Sequence, residues 1–161
     1  LENCLIGQKS ILGKKGSAWQ DIVVPLGEIE DIVMMGPVLG GMAAQLDLIV
    51  CAIRENATSA DRALPSDLGA LSALWQTLQA IAYEAAGRLD RGSDSPLPLG
   101  ITFARLAAEF RADIGQLSER WKIPVPGQYT DFQRDMASLG ALQKRRLEIR
   151  QEKIGAALLK D

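Results

Sequence analysis

Residues 36–56, GPVLGGMAAQLDLIVCAIREN, constrain the fold of this chain more than any other stretch. Val38, Leu39, Met42, Leu46, Ile49, Val50 and Ile53 recur at spacings of three and four, as one face of a helix requires. Pro37 suits the first turn, where its missing N–H leaves no helical bond unmade. The opposite side carries Ala43, Ala44, Leu48 and Ala52, with Asp47 as its one charge before Arg54. A helix this poor in polar side chains is expected to be enclosed by others, and Asp47 then needs a partner, for which Arg105 and Arg111 are the candidates.

The next helical pattern supports the same expectation. Pro65, Ser66 and Asp67 mark a helix start, and no charge occurs from Leu68 to Tyr83. Leu71, Leu74, Trp75, Leu78, Ile81, Ala82, Ala85 and Leu89 share a face, which predicts a helix over 66–91 packed on 36–56 as an antiparallel hairpin. Gly92 stands where a left-handed cap is expected. After the breaker segment SDSPLPLG, an amphipathic helix over 99–122 sets Phe103, Leu106, Ala107, Phe110, Ile114, Leu117 and Trp121 on one side. Pro124, Pro126 and Gly127 end it, and Thr130 with Gln133 has the capping-box form that opens a last helix over 131–159. Phe132, Met136, Leu139 and Leu142 face a core, but between Lys144 and Lys153 only Leu147 and Ile149 are apolar. That second half is expected to project beyond the bundle.

At the other end, residues 1–16 mix glycines, lysines and isolated apolar residues and read as an irregular arm. Ser17 with Gln20 repeats the capping-box form and predicts a helix from Ala18. Pro25 removes a ladder bond, so a break is expected near Val24 with a second piece over 26–35. The β-branched run in DIVVPL also admits a short extended segment. The fold expected is all-α: a bundle of four main helices with a broken leading helix, forming one domain over 17–161 behind the irregular arm. Trp19, Trp75 and Trp121 all fit apolar helical faces and are expected to be packing residues.

At 161 residues, with 47% hydrophobic and 24% charged side chains, the chain has the means to bury one core. Its net charge of −2 supplies no general attraction for nucleic acid. Cys4 and Cys51 have no metal-binding spacing, and Cys51 falls in the apolar helix as a small hydrophobe. A reducing, cytoplasmic setting is the expectation, with a Cys4–Cys51 bridge left open.

The chain has no histidine, which removes Ser-His-Asp and Cys-His nucleophile systems, HExxH zinc sites and Glu-x-x-His di-iron bundles. Glu28 and Asp31, one helical turn apart, remain as a carboxylate pair for Mg²⁺, the basis of an all-α hydrolase reading. GQKSILGKKGS fails as a phosphate loop, because five residues separate Gly7 from Gly13 and Lys15 stands where Ser or Thr is needed. In KRRLEIRQEK, the basic residues Lys144, Arg145, Arg146, Arg150 and Lys153 offer a partner-binding surface, with Arg146, Arg150 and Lys153 at helical spacing. Glu148 and Glu152 interrupt the charge, and no aromatic residue interleaves for base stacking, so nucleic acid is not the favoured partner. Residues 32–53 hold one charge and the spacing Gly36 to Gly40, but Pro37, Gly41 and Asp47 argue against membrane insertion. The function expected is a non-enzymatic interaction or assembly protein, without cofactor, that contacts a protein partner or itself through its last helix and its N-terminal arm.

Overall fold

The structure, a computed structural model, describes residues 7–11, 13–56, 63–92, 95–123 and 127–159, and the side chains of 8, 56, 63 and 139–144 lie outside that description. Five α-helices follow one another: α1 Val24–Val33, α2 Met35–Asn56, α3 Ala63–Arg91, α4 Leu97–Arg120 and α5 Gly127–Leu158. A 3₁₀ turn at Gln8–Ser10 and a π-helical turn at Trp19–Val23 precede them, and no strand occurs among the described residues. The chain is therefore all-α, and DIVVPL is helical rather than extended.

The leading helix does not end at Pro25: the backbone stays helical through Val23 and Val24, and the expected break is only a change from a π turn to α1. Proline tolerates a helix only near its start, and here it occupies the first turn of α1, directly after the π turn. The Ser17 and Gln20 side chains do not form a capping box. Ser17 Oγ instead donates to the Lys14 carbonyl at 3.0 Å, closing the turn before the helix. A second irregularity at Met34 separates α1 from α2, yet Met34 N–H still reaches the Glu30 carbonyl at 2.9 Å. Residues 1–6 lie outside the described residues, and with them Cys4 and any bridge to Cys51.

Only six residues connect α2 to α3, a reach of about 25 Å at most, whereas 22 residues of α2 span about 33 Å. The two helices must fold back on each other, and Trp75 of α3 donates its indole N–H to the Leu39 carbonyl of α2 at 3.2 Å. Gly92 takes the left-handed conformation that the sequence reserved for it, with φ of 57°. α4 then returns along α3, so that Arg120 and Trp121 at its end both bond Asp67 near the start of α3, at 3.2 and 3.3 Å. Lys122, with φ of 50°, closes α4 in the left-handed position that glycine usually fills, and Ile123 N–H reaches back to the Ser118 carbonyl at 2.9 Å.

The core is a set of seven-residue ladders. Met35, Met42 and Ile49 come from α2, Leu71, Leu78 and Ala85 from α3, Phe103, Phe110 and Leu117 from α4, and all are buried. Each large side chain hidden in this way contributes roughly 1.5–3 kcal/mol. Within the core Gln45 is 1% exposed, and neither side-chain polar atom has a hydrogen-bond partner among the described residues. α5 packs across α4 and α2. It begins at Gly127, so Thr130 lies inside the helix and Gln133 donates to the Tyr129 hydroxyl at 3.3 Å instead of capping.

Three expectations about packing are corrected. α2 is not enclosed: Gly36, Pro37, Gly40, Ala44, Asp47 and Cys51 are exposed, because small side chains made its far side look apolar while giving it little to bury. Asp47 meets water and needs neither Arg105 nor Arg111. The second half of α5 stays beside the bundle as far as Arg150, where Arg146 and Arg150 reach Asp31 and Leu147 is half-buried, while residues 151–159 are exposed apart from the half-buried Ile154 and Gly155.

Candidate functional site

The feature without a structural role inside the bundle lies on the leading helices. Trp19, Ile22, Leu26, Ile29 and Val33 succeed one another in the sequence at spacings of three, four, three and four; Leu26, Ile29 and Val33 hold an a/d spacing on α1, while Trp19 and Ile22 lie in the π turn before it, rotated from that line. Each is exposed, with Trp19 at 65%, Leu26 at 52% and Val33 at 62%. Val23 and Val24 widen the stripe, and exposed Gly36 and Gly40 extend the same spacing into α2. A Cβ added at either glycine meets nothing within 4 Å, so the helix backbone is open to close approach there. Scattered surface apolar residues need no explanation, whereas a row of exposed large apolar side chains along one helix does. Trp19 is thus not a packing residue of its own bundle, whereas Trp75 and Trp121 are half-buried against the core.

On another side of α1 stands a charged cluster. Asp31 accepts from Arg150 of α5, and Arg146 Nη1 lies 3.9 Å from both Asp31 and Glu30. The Asp31 and Arg150 side chains are 16% and 19% exposed, which makes theirs the most enclosed ion pair among the described residues. The exposed stripe foreseen on the last helix is accordingly divided. Arg150 turns into the Asp31 pair, Arg146 reaches toward it while staying exposed, Arg145 and Lys153 are exposed, and the Lys144 side chain lies outside the described residues. Glu28 and Asp31 do share one region of α1, but the carboxylate of Asp31 is engaged by guanidinium groups. No group of three metal-ligating side chains comes together among the described residues.

Arg146 and Arg150 form part of the rim of a cavity between the leading helices, α4 and α5, with Met35, Phe103, Ala107 and Met136 among its walls. Arg111 joins that rim from α4. It is half-buried, and loss of water holds its guanidinium below the usual arginine range.

The helical run Trp19–Glu55 is long and apolar enough, by length and composition, to cross a membrane. One face of the run is nevertheless committed to α3, α4 and α5 through Met35, Met42 and Ile49, and Asp31 and Asp47 bracket its most apolar part. The seam itself was present in the sequence. Its three-four rhythm is visible in the letters, but Pro25 drew attention to a break and away from the face that continues through it. No protein-family model, curated protein or solved structure matches the chain.

Proposed function

We propose that this chain is a non-enzymatic assembly protein that pairs with a second copy of itself through the seam on its leading helix. The observation that carries this reading is the set of exposed apolar side chains Trp19, Ile22, Leu26, Ile29 and Val33 on the leading helix, the last three at a/d spacing on α1. Its layout favours a like partner: Trp19 and Val33 each lie seven residues from Leu26. Two copies related by a two-fold axis at Leu26 therefore place the largest exposed side chain of one opposite the smaller valine of the other. Parallel pairing would set Trp19 against Trp19 and Gly36 against Gly36, with unmatched diameters at the two ends. Isologous two-fold pairing is also the commonest form of soluble oligomer.

This reading moves the contact surface from the last helix and the N-terminal arm to the segment between them. Arg146 and Arg150 of α5, which look available in the sequence, are engaged with Asp31 and Glu30, whereas among the described residues Trp19, Leu26 and Val33 are more than half exposed.

Sedimentation equilibrium of the full chain tests it. The expected mass is twice the 17.4 kDa of one chain. Leu26→Glu brings two carboxylates together across the axis, and such like-charge contact costs several kcal/mol, so dimer dissociation should rise by about a hundred-fold or more. Because Leu26 is already half open to water, the melting temperature of the monomeric variant should be close to that of a dilute parent. A monomeric parent at high concentration, or a Leu26→Glu dimer of unchanged affinity, contradicts the reading. So does co-sedimentation with lipid vesicles in the absence of any dimer.

A further inference from the structure

The cavity beneath the Asp31 cluster has a volume of about 360 Å³. That lies within the range of roughly 300–1,000 Å³ in which small-molecule sites fall, and its make-up, apolar walls with a few converging polar groups, is also theirs. The cavity is open to solvent on one side, so a bound chain can lie in it with one end at the surface. The walls are of an adaptable kind, since Met34, Met35 and Met136 can repack around a flexible chain. Ala104 and Ala108, two turns and one turn ahead of Arg111 on α4, keep the passage beside it open.

Three guanidinium groups line this space, and they are not equivalent. Arg150 is bonded to Asp31, and Arg146 lies near both Asp31 and Glu30. Arg111 has no hydrogen bond and no ion pair among the described residues, although it is half-buried. An arginine remains charged in proteins, so it cannot relieve desolvation by losing its proton as a lysine would. A guanidinium partly stripped of water beside an apolar chamber is stabilised when an anion reaches it. Its planar fork matches the two oxygens of a carboxylate.

We infer that this cavity binds an amphipathic carboxylate with a single medium-length alkyl chain, the chain lying among the methionines and Phe103 and the carboxylate held by Arg111. One uncommitted fork suits one carboxylate better than a phosphate dianion, which calls for more donors than Arg111 alone presents. The inference is independent of the seam and does not require dimerisation.

Calorimetric titration of the full chain with decanoate tests it, with decanol and acetate as the two halves of the ligand and phosphatidylglycerol vesicles as a bilayer source. Decanoate should bind at least about ten-fold more tightly than decanol, the factor expected for a hydrogen bond to a charged group. Acetate should show no measurable heat. Arg111→Met keeps the apolar stem, removes the charge, and should weaken decanoate by about ten- to a hundred-fold while leaving decanol unchanged. Ala104→Phe keeps the charge, fills the chamber, and should weaken both. Each variant is accepted for titration on a melting curve like the parent's, and Arg111→Gln serves as the replacement if Arg111→Met fails that test. Equal affinity for decanoate and decanol overturns the inference, as does undiminished decanoate binding by Arg111→Met or Arg111→Gln. Binding to vesicles alone, insensitive to both substitutions, overturns it as well.

Discussion

Asp31→Ala should lower the unfolding free energy by about 3 kcal/mol, near the bottom of the range for breaking a buried ion pair. The carboxylate is 16% exposed and its partner Arg150 19%, so its loss leaves a mostly enclosed guanidinium without its charged oxygen partner. Position in the sequence does not set this value. Asp131 also pairs with an arginine, Arg134, at 3.3 Å, but their side chains are 63% and 70% exposed. Exposed pairs of that kind contribute between zero and about 1 kcal/mol, and Asp131→Ala should change stability by less than about 0.5 kcal/mol. Urea unfolding distinguishes the two. In Asp31→Ala, hydrogen exchange should also accelerate selectively in the second half of α5, which is tied to α1 through Arg146 and Arg150. Replacing both members of the pair by apolar residues, Asp31→Leu with Arg150→Met, should recover most of the loss, because the cost lies in the orphaned charge rather than in the missing bond.

Gly41→Ala should destabilise the protein even though alanine is the better helix former. In an exposed helix interior the exchange gains roughly 0.8–1 kcal/mol, and that is the expected outcome for Gly69→Ala in α3, where an added Cβ meets nothing within 4 Å. At Gly41 the same carbon falls 2.9 Å from Cδ2 of Phe132 and closer still to Cε2 and Cζ. The ring of α5 lies directly on the bare backbone of α2, so the phenyl group must leave or the helices must part. Overpacking of this type costs about 1–3 kcal/mol, which exceeds the propensity gain. Thermal melts should therefore shift in opposite directions for two substitutions that are identical in chemistry. A rise for both would show that Phe132 has freedom to move aside.

These two sites show where sequence reasoning stops. The existence of each helix was legible, because the three-four spacing in 36–56, the charge-free face after Leu68 and the row from Phe103 to Leu117 reflect the same requirement that one face be dry. The cap at Gly92 was legible too, and Pro25 does mark an irregularity, though a π turn in a continuing helix rather than a break. The pairing of Asp31 with Arg150 was not, as the residues stand 119 apart, and no basic residue occurs on α1 to show that Asp31 would be paired at all. The packing of Phe132 on Gly41 is likewise a relation between two helices that no local pattern encodes. Exposure of Trp19 was misjudged for a related reason. Periodicity shows that a helix has an apolar face but not whether its own chain covers that face. The leading helix has two such faces, one on Ile32 and Met35 turned to the core, the other on Leu26 and Val33 turned outward. Of the basic residues singled out on α5, Arg146 and Arg150 do reach a functional-looking surface, but as the rim of a cavity rather than as a solvent-facing stripe.

Disulfide trapping across the seam tests the assembly account most directly. In a Cys4→Ser, Cys51→Ser background, chains carrying Trp19→Cys are mixed with chains carrying Val33→Cys and oxidised under mild conditions. A two-fold axis at Leu26 brings position 19 of one copy opposite position 33 of the other, and a bridge forms only where the Cα atoms come within about 7 Å. The account predicts a mixed 19–33 dimer that forms well ahead of either like-with-like product. Preferential 19–19 linkage, or no cross-link above that of a cysteine placed at exposed Tyr83, would contradict it.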